Sequence, residues 1–148
     1  MHISILKSLF QRDLQKLKRE IEAYHHEHHL WTTNKGIRNS GGNLCLHLLG
    51  NLNAFIGTEL GNTGYVRQRE LEFSLRDVPK EELLMQIDGT MAMIECTLEE
   101  LSEEDLNKEY PIPVFKKPMT TGYFLTHLAT HLTYHLGQIN YHRRLLDH

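Results

Sequence analysis

Along the first quarter of the chain, Leu6, Phe10, Leu14, Leu17, Ile21 and Tyr24 recur at steps of four and three. That spacing is one stripe of a 3.6-residue helix and predicts helix from Ile5 to about Tyr24, with a charged opposite face. A polar stretch, His25 to Asn39, follows; it contains His25, His26, His28, His29, Trp31 and the turn-forming Asn34-Lys35-Gly36. Trp31 is expected to anchor this loop against the body of the protein. Ser40 is an N-cap for a second helix through Leu44, Leu48, Leu52 and Phe55, ending near Gly61-Asn62. Gly64 to Arg76 has too weak an alternation for a strand and reads as an ordered connection.

Asp77 can cap a third helix, with Pro79 in its first turn, and Leu83, Ile87, Met91, Ile94, Leu98 and Leu101 trace its buried stripe. Ser102 and Asp105 suggest a short turn, and Tyr110-Pro111-Ile112-Pro113 must be extended. The fourth helix starts after Pro118, capped by Thr120 or Thr121, and reaches about Leu146. Four long helical patterns and no convincing strand predict an all-α four-helix bundle over 1–148 as one domain. The long connection between helices 2 and 3 argues against a plain series of short-loop hairpins.

On a wheel of 100° per residue, Phe124, His127, Leu128, His131, His135, Gln138, His142 and Leu145 fall within about 100° of each other, so this side is expected to face the core. Polar groups there cost about 1–3 kcal/mol each if left unpaired. Eleven histidines among 148 residues is the anomaly of the composition, and it points the same way. A divalent ion satisfies several imidazoles at once, and His131 and His135 lie one turn apart on one face. His47, on the Leu44, Leu48, Asn51 side of helix 2, supplies a third nitrogen. The expected metal ligands are therefore His47, His131 and His135, with His127 as an alternative ligand or a pocket residue. Asn51 and Gln138 stand near enough in sequence to hydrogen-bond at the site or merely to bridge helices.

At these residues the chain resembles the DinB/YfiT-like superfamily of metalloenzymes. Asn43-Leu44-Cys45-Leu46-His47-Leu48-Leu49-Gly50-Asn51-Leu52 is similar to that family's helix 2 segment. His131-Leu132-Thr133-Tyr134-His135-Leu136-Gly137-Gln138-Ile139 is similar to its helix 4 segment. Tyr65 to Phe73 resembles the linker of one poorly characterised branch. The resemblance implies a bundle in the mirror variant of up-and-down topology, often a homodimer, with one zinc, nickel or iron ion on the three histidines. It also implies a small-molecule substrate, with low-molecular-weight thiols used by some relatives.

The remaining residues add exclusions. A formal charge of −3 gives no field toward nucleic acid or anionic lipid. No apolar run approaches the roughly 20 residues of a bilayer span and no leader pattern opens the chain, so a cytoplasmic protein is expected. Cys45 and Cys96 read as plain buried thiols. Arg67, Arg69, Glu70 and Glu72 read as solvated or helix-bridging ion pairs, with one of the acids as a candidate base. His142, beside Arg143 and Arg144, reads as a basic helix terminus; His25 and His29 read as exposed. No nucleophile elbow or phosphate loop is present. The residues thus predict a metal-dependent enzyme on an open three-histidine site, and the resemblance implies a thiol-dependent transferase or hydrolase type. Its competitors are a bundle whose ion is only structural, closed by a fourth ligand, and a metal-free interaction module.

Overall fold

A computed structural model describes residues 2–148. Four long helices dominate it: α1 (His2–Ala23), α2 (Gly41–Leu52), α4 (Lys80–Glu100) and α5 (Thr121–Leu146), with a short α3 (Arg69–Ser74) in the connection between α2 and α4. α2 continues without a break through a π-helical turn, Asn53–Thr58, and a last turn, Glu59–Gly61, ending on left-handed Asn62 (φ 50°). Ser40 and Thr120 cap α2 and α5 as expected, their hydroxyls accepting from Asn43 N and Tyr123 N. The helices share one core built on Phe10, Leu14, Leu17, Ile21, Leu48, Leu52, Leu83, Ile87, Phe124 and Leu132, all essentially solvent-free. Burying each such side chain contributes about 1.5–3 kcal/mol.

Side-chain pairings fix the helix directions. Lys7 reaches Glu95 and Lys18 reaches Asp88, so α1 and α4 run antiparallel. Thr133 bonds Asp13 and Arg143 bonds Glu20, so α1 and α5 run parallel. His47 meets His131 and Phe55 meets Phe124, which makes α2 and α5 antiparallel, whereas Asn53 bonds Thr90 and Gly61 lies against Thr97, which makes α2 and α4 parallel. The order round this helical bundle is α1, α4, α2, α5, and the direction along the chain is up, down, down, up. α2 and α4 are the one consecutive pair of long helices that is parallel, so the chain must travel back along the bundle between them. That connection carries α3.

Several expectations require correction. α4 begins at Lys80 with Pro79, not Asp77, in the cap position; Asp77 is instead one of two non-glycine residues in the left-handed region among the described residues. The connection at 64–76 contains a helix, because the Leu71 carbonyl accepts from Leu75 N and Asn43 Nδ2 holds the carbonyls of Glu72 and Leu75 at 2.9 Å. Cys45 is buried, but Cys96 is exposed on the outer side of α4. On α5 the buried stripe centres on Leu125, Leu128, Leu132, Leu136 and Ile139, and Phe124, Leu128 and His142 of the expected face are buried as expected. His127, His131 and His135 are only half-buried and Gln138 and Leu145 are exposed, so these members lie on the shoulder of the helix and not along its buried centre. That shift leaves His131 and His135 half-covered at the edge facing α2.

The α1–α2 loop crosses the end of the bundle. Trp31 is buried there, as expected, and packs so closely on Gly42 that a side chain at 42 would collide with its ring. His142 departs from its expected role as a basic terminus. It is buried, its Nδ1 accepting from the Tyr24 hydroxyl at 2.6 Å and its Nε2 donating to Thr32 O at 2.8 Å. His29 is pinned to Asp147 at 2.8 Å, and Asp147 also accepts from the backbone of His25 and His26. Tyr24→Phe removes the donor to a buried imidazole nitrogen and is expected to cost about 1–3 kcal/mol in urea unfolding. An unchanged unfolding midpoint contradicts this account of the loop.

Candidate metal centre

The site forms where α2 and α5 cross, covered by α3. Antiparallel packing brings His47 opposite the His131–His135 turn. The Nε2 atoms of His47 and His131 are 3.4 Å apart and those of His131 and His135 3.1 Å apart. The three candidate ligand atoms lie within 4.8 Å of one another, and this is the one such cluster of three or more metal-binding side chains among the described residues. Metal–nitrogen bonds of about 2.0–2.1 Å at tetrahedral angles place ligand nitrogens about 3.3–3.4 Å apart. The observed spacing fits a shared divalent ion.

Hydrogen bonds behind the rings decide which nitrogen is bare. His47 Nδ1 lies 3.1 Å from the Glu72 carboxylate and His135 Nδ1 lies 2.7 Å from Gln138 Oε1. Both are acceptors and are the nearest partners, the Arg67 Nη2 donor standing farther from His47 Nδ1 at 3.4 Å, so both Nδ1 atoms carry the proton and both Nε2 atoms present lone pairs to the common point. A proton on His131 Nε2 can bridge to only one of them. A cation satisfies all three. His131 Nδ1 and Asn51 Oδ1 are both buried without a partner, a donor and an acceptor left over beside the same cleft once the cation takes Nε2.

Glu72 forms an ion pair, as this stretch was expected to do, but a buried and not a solvated one. Its carboxylate is buried, held in a two-pronged contact by Arg67 Nε at 2.9 Å and Nη2 at 3.0 Å. The carboxylate lies flat against α2 at Gly50, where any Cβ would overlap it. Gly50 is one turn after His47, so a residue without a side chain is what lets the acid reach behind that ring. Asn43 positions α3 from the start of α2: its amide nitrogen bonds the Glu72 carbonyl, and its oxygen accepts from Ser40 Oγ at 2.7 Å and Arg76 at 2.9 Å. The acid therefore reaches the site, but it faces Nδ1 of His47 and not the shared point.

Burial pushes the His131 imidazole down to about 4, aided by the charges His135, His47 and His127 would carry and by Arg67. Burial also lowers His135, against the opposing bond from Gln138. Burial alone would raise the Glu72 carboxyl, but hydrogen bonds from His47 and Arg67 outweigh it and hold the group below the usual carboxylate range. At neutral pH His131, His135 and Glu72 are thus in the states that metal binding requires.

His127 stands aside from the three, its ring stacked 5.8 Å from Phe124 and 6.5 Å from His131. It borders a cleft of about 270 Å³ lined by His47, Asn51, Phe55, Arg67, Phe124 and His131, among others. A roomier hollow, about 560 Å³, lies on the far side of Glu72 around Tyr65, Val66 and Gln86 and does not include the histidines. The sequence signals led to all three histidines and to Gln138, which does bond at the site. They missed Glu72 as the partner of His47 and Gly50 as its seat; the pairing of a glycine one turn after a candidate ligand with an acid in the linker was the available hint.

A family model described as "Protein of unknown function (DUF1572)" matches residues 1–148. Among solved structures, the crystal structure of the conserved protein of locus from Enterococcus faecalis is similar at 16% identity and a TM-score of 0.77, covering 97% of this chain and 95% of that one. That likeness is one of fold. No curated protein matches the sequence.

In metal-free protein, His131 stays neutral in the folded state while its unfolded counterpart protonates near 6.5. A folded pKa below the unfolded one means stability is full above about pH 6.5 and is lost as pH falls toward about 4. Denaturation midpoints measured from pH 7 to pH 4 are expected to fall, and the fall should shrink in His131→Gln. An identical slope in both proteins refutes the assignment.

Proposed function

Because the chain belongs to the DUF1572 family, whose description names no activity, we propose its function from the site itself: a divalent-metal-dependent enzyme, of thiol-dependent transferase or hydrolase type, using an open three-histidine centre. The observation that carries this reading is the convergence of the three Nε2 atoms, two of them stripped of protons by acceptors behind the rings. Zinc, nickel and iron all suit imidazole ligands. When bound, such an ion supplies Lewis acidity that brings the pKa of a water or thiol toward neutrality.

The protein's own residues have separate tasks. His47, His131 and His135 hold the ion. Glu72 and Gln138 fix the tautomer and tilt of two of those rings, as outer partners of metal-bound histidines commonly do. Arg67 keeps Glu72 ionised and in place, which is why Glu72 is read as a positioning group and not as a base. Phe55, Phe124 and Leu128 form the apolar part of the cleft wall. No fourth histidine, cysteine or acid joins the cluster among the described residues; three protein ligands with room for a substrate is the pattern of catalytic sites, whereas structural sites are closed by four.

The bundle is read as a DinB/YfiT-like mirror variant, with α2 and α4 parallel where a plain up-and-down bundle alternates. Support comes from the ligand-bearing segments of α2 and α5 and from their antiparallel crossing. No helix of the described residues is long and apolar enough to cross a membrane, and two unpaired cysteines support a cytoplasmic setting. We also infer a homodimer through the outer face of α5. Met119 to His142 contains no Asp, Glu, Lys or Arg, yet Tyr123, Tyr134 and Tyr141 on it are more than 60% exposed, an uncharged aromatic surface of the kind interfaces use.

Metal analysis after exhaustive dialysis is expected to give about one ion per chain, lost in His47→Ala and in His131→Ala. Glu72→Gln should retain the ion with affinity weaker by about 10- to 100-fold. Retention of stoichiometric metal by both alanine variants overturns the site. Light scattering should show a dimer that Tyr134→Glu converts to monomer; a monomeric parent protein removes the interface.

A further inference from the structure

The cleft beside the three histidines is walled unevenly. Its polar lining is His47, Asn51, Arg67, Arg69, His127 and His131, with no aspartate or glutamate, in a chain whose acids outnumber its lysines and arginines, 19 to 16. The two arginines differ in what they have left to give. Arg67 spends Nε and Nη2 on Glu72. Arg69 makes no hydrogen bond or ion pair among the described residues, and its guanidinium rests 5.2 Å over the Phe73 ring. Phe73 in turn lies 4.9 Å from the His47 ring. Stacking on an aromatic face holds a guanidinium flat while its edge N–H groups stay free, the geometry in which arginine receives a planar anion with two parallel bonds.

We propose that this rim is an anion subsite, in which Arg69 receives the carboxylate of a small organic acid whose apolar body lies on Phe55, Phe115 and Phe124. The proposal rests on the reading of this cleft as the substrate site and names the class of substrate. One free guanidinium matches the single charge of a carboxylate; a phosphate dianion would call on Arg67 as well, which Glu72 already neutralises. The volume of about 270 Å³ sits just under the range of about 300–1,000 Å³ of drug-sized sites, so the acid is a small one. The ring walls are ordered: Phe124 stacks edge-on to Phe55 at 5.1 Å and to Phe115 at 6.0 Å, leaving an aromatic slot next to a cationic rim.

The test is an NMR titration of the full chain, zinc-loaded and metal-free, with phenylacetate, its neutral counterpart phenylacetamide, and phenyl phosphate, on the parent protein and Arg69→Gln. Arg69 is exposed, so the substitution leaves the core untouched. Phenylacetate is expected to bind saturably in both metal states and at least tenfold more weakly to Arg69→Gln, with phenylacetamide changing less than twofold. Equal phenylacetate affinity in the two proteins overturns the subsite, as does an absence of saturable binding. Tighter, Arg69-dependent binding of phenyl phosphate overturns the choice of carboxylate. A carboxylate held by zinc alone would disappear from metal-free protein and ignore Arg69→Gln, again overturning it. If zinc does not bind but the Arg69-dependent affinity for phenylacetate persists, the metal reading falls while the anion subsite stands.

Discussion

Lone pairs on three imidazole nitrogens repel one another when they are aimed at one point, and in this protein they are aimed there by bonds that leave them no alternative. Glu72 and Gln138 take the Nδ1 protons of His47 and His135, so the inward nitrogens cannot be donors. With neighbouring nitrogens 3.1 and 3.4 Å apart, one proton on His131 relieves one contact and leaves the other. Half-buried surroundings make the alternative of protonating the rings costly, as the depressed His131 imidazole records. A shared cation removes the conflict with no rearrangement of the scaffold.

Much of the rest of the molecule can be understood as what keeps that point fixed. The up, down, down, up order sets α2 against α5 and leaves room in the α2–α4 connection for a short helix. Asn43 ties that helix to the start of α2 by its backbone carbonyls, which places Glu72 over Gly50 and behind His47. Arg67 closes the arrangement, since an isolated buried carboxylate would neutralise itself instead of holding a tautomer. At the far end, Tyr24, His142 and Thr32 lock the loop that covers the bundle, through bonds remote from the ligand set. The geometry of the histidine cluster and the locking of the covering loop are thereby carried by different residues.

The helices and two of their caps were legible because they depend on local periodicity and local turn chemistry: Ser40, Thr120, Asn62 and the stripe of α1 all behave as their spacing predicts. The three histidines were legible for a related reason, since i, i+4 pairs share a face whatever the tertiary structure. What a single sequence could not place were features set by packing between distant segments. Gly64 to Arg76 has no periodic pattern long enough to reveal α3, whose carbonyls are held by a side chain some thirty residues upstream. Glu72 therefore looked like any surface acid. The wheel of α5 was rotated toward its histidines because polarity alone does not distinguish the buried centre of a helix from its shoulder; Gln138 and Leu145 show the difference. Cys96 shows the same difference, since an apolar neighbourhood in sequence is not burial.

X-ray absorption at the zinc edge of zinc-loaded protein tests the central claim most directly. The account predicts three imidazole nitrogens at about 2.0–2.1 Å, with the remaining coordination by light oxygen-type atoms. A shell of oxygen alone, or one containing sulfur from a cysteine, would contradict it.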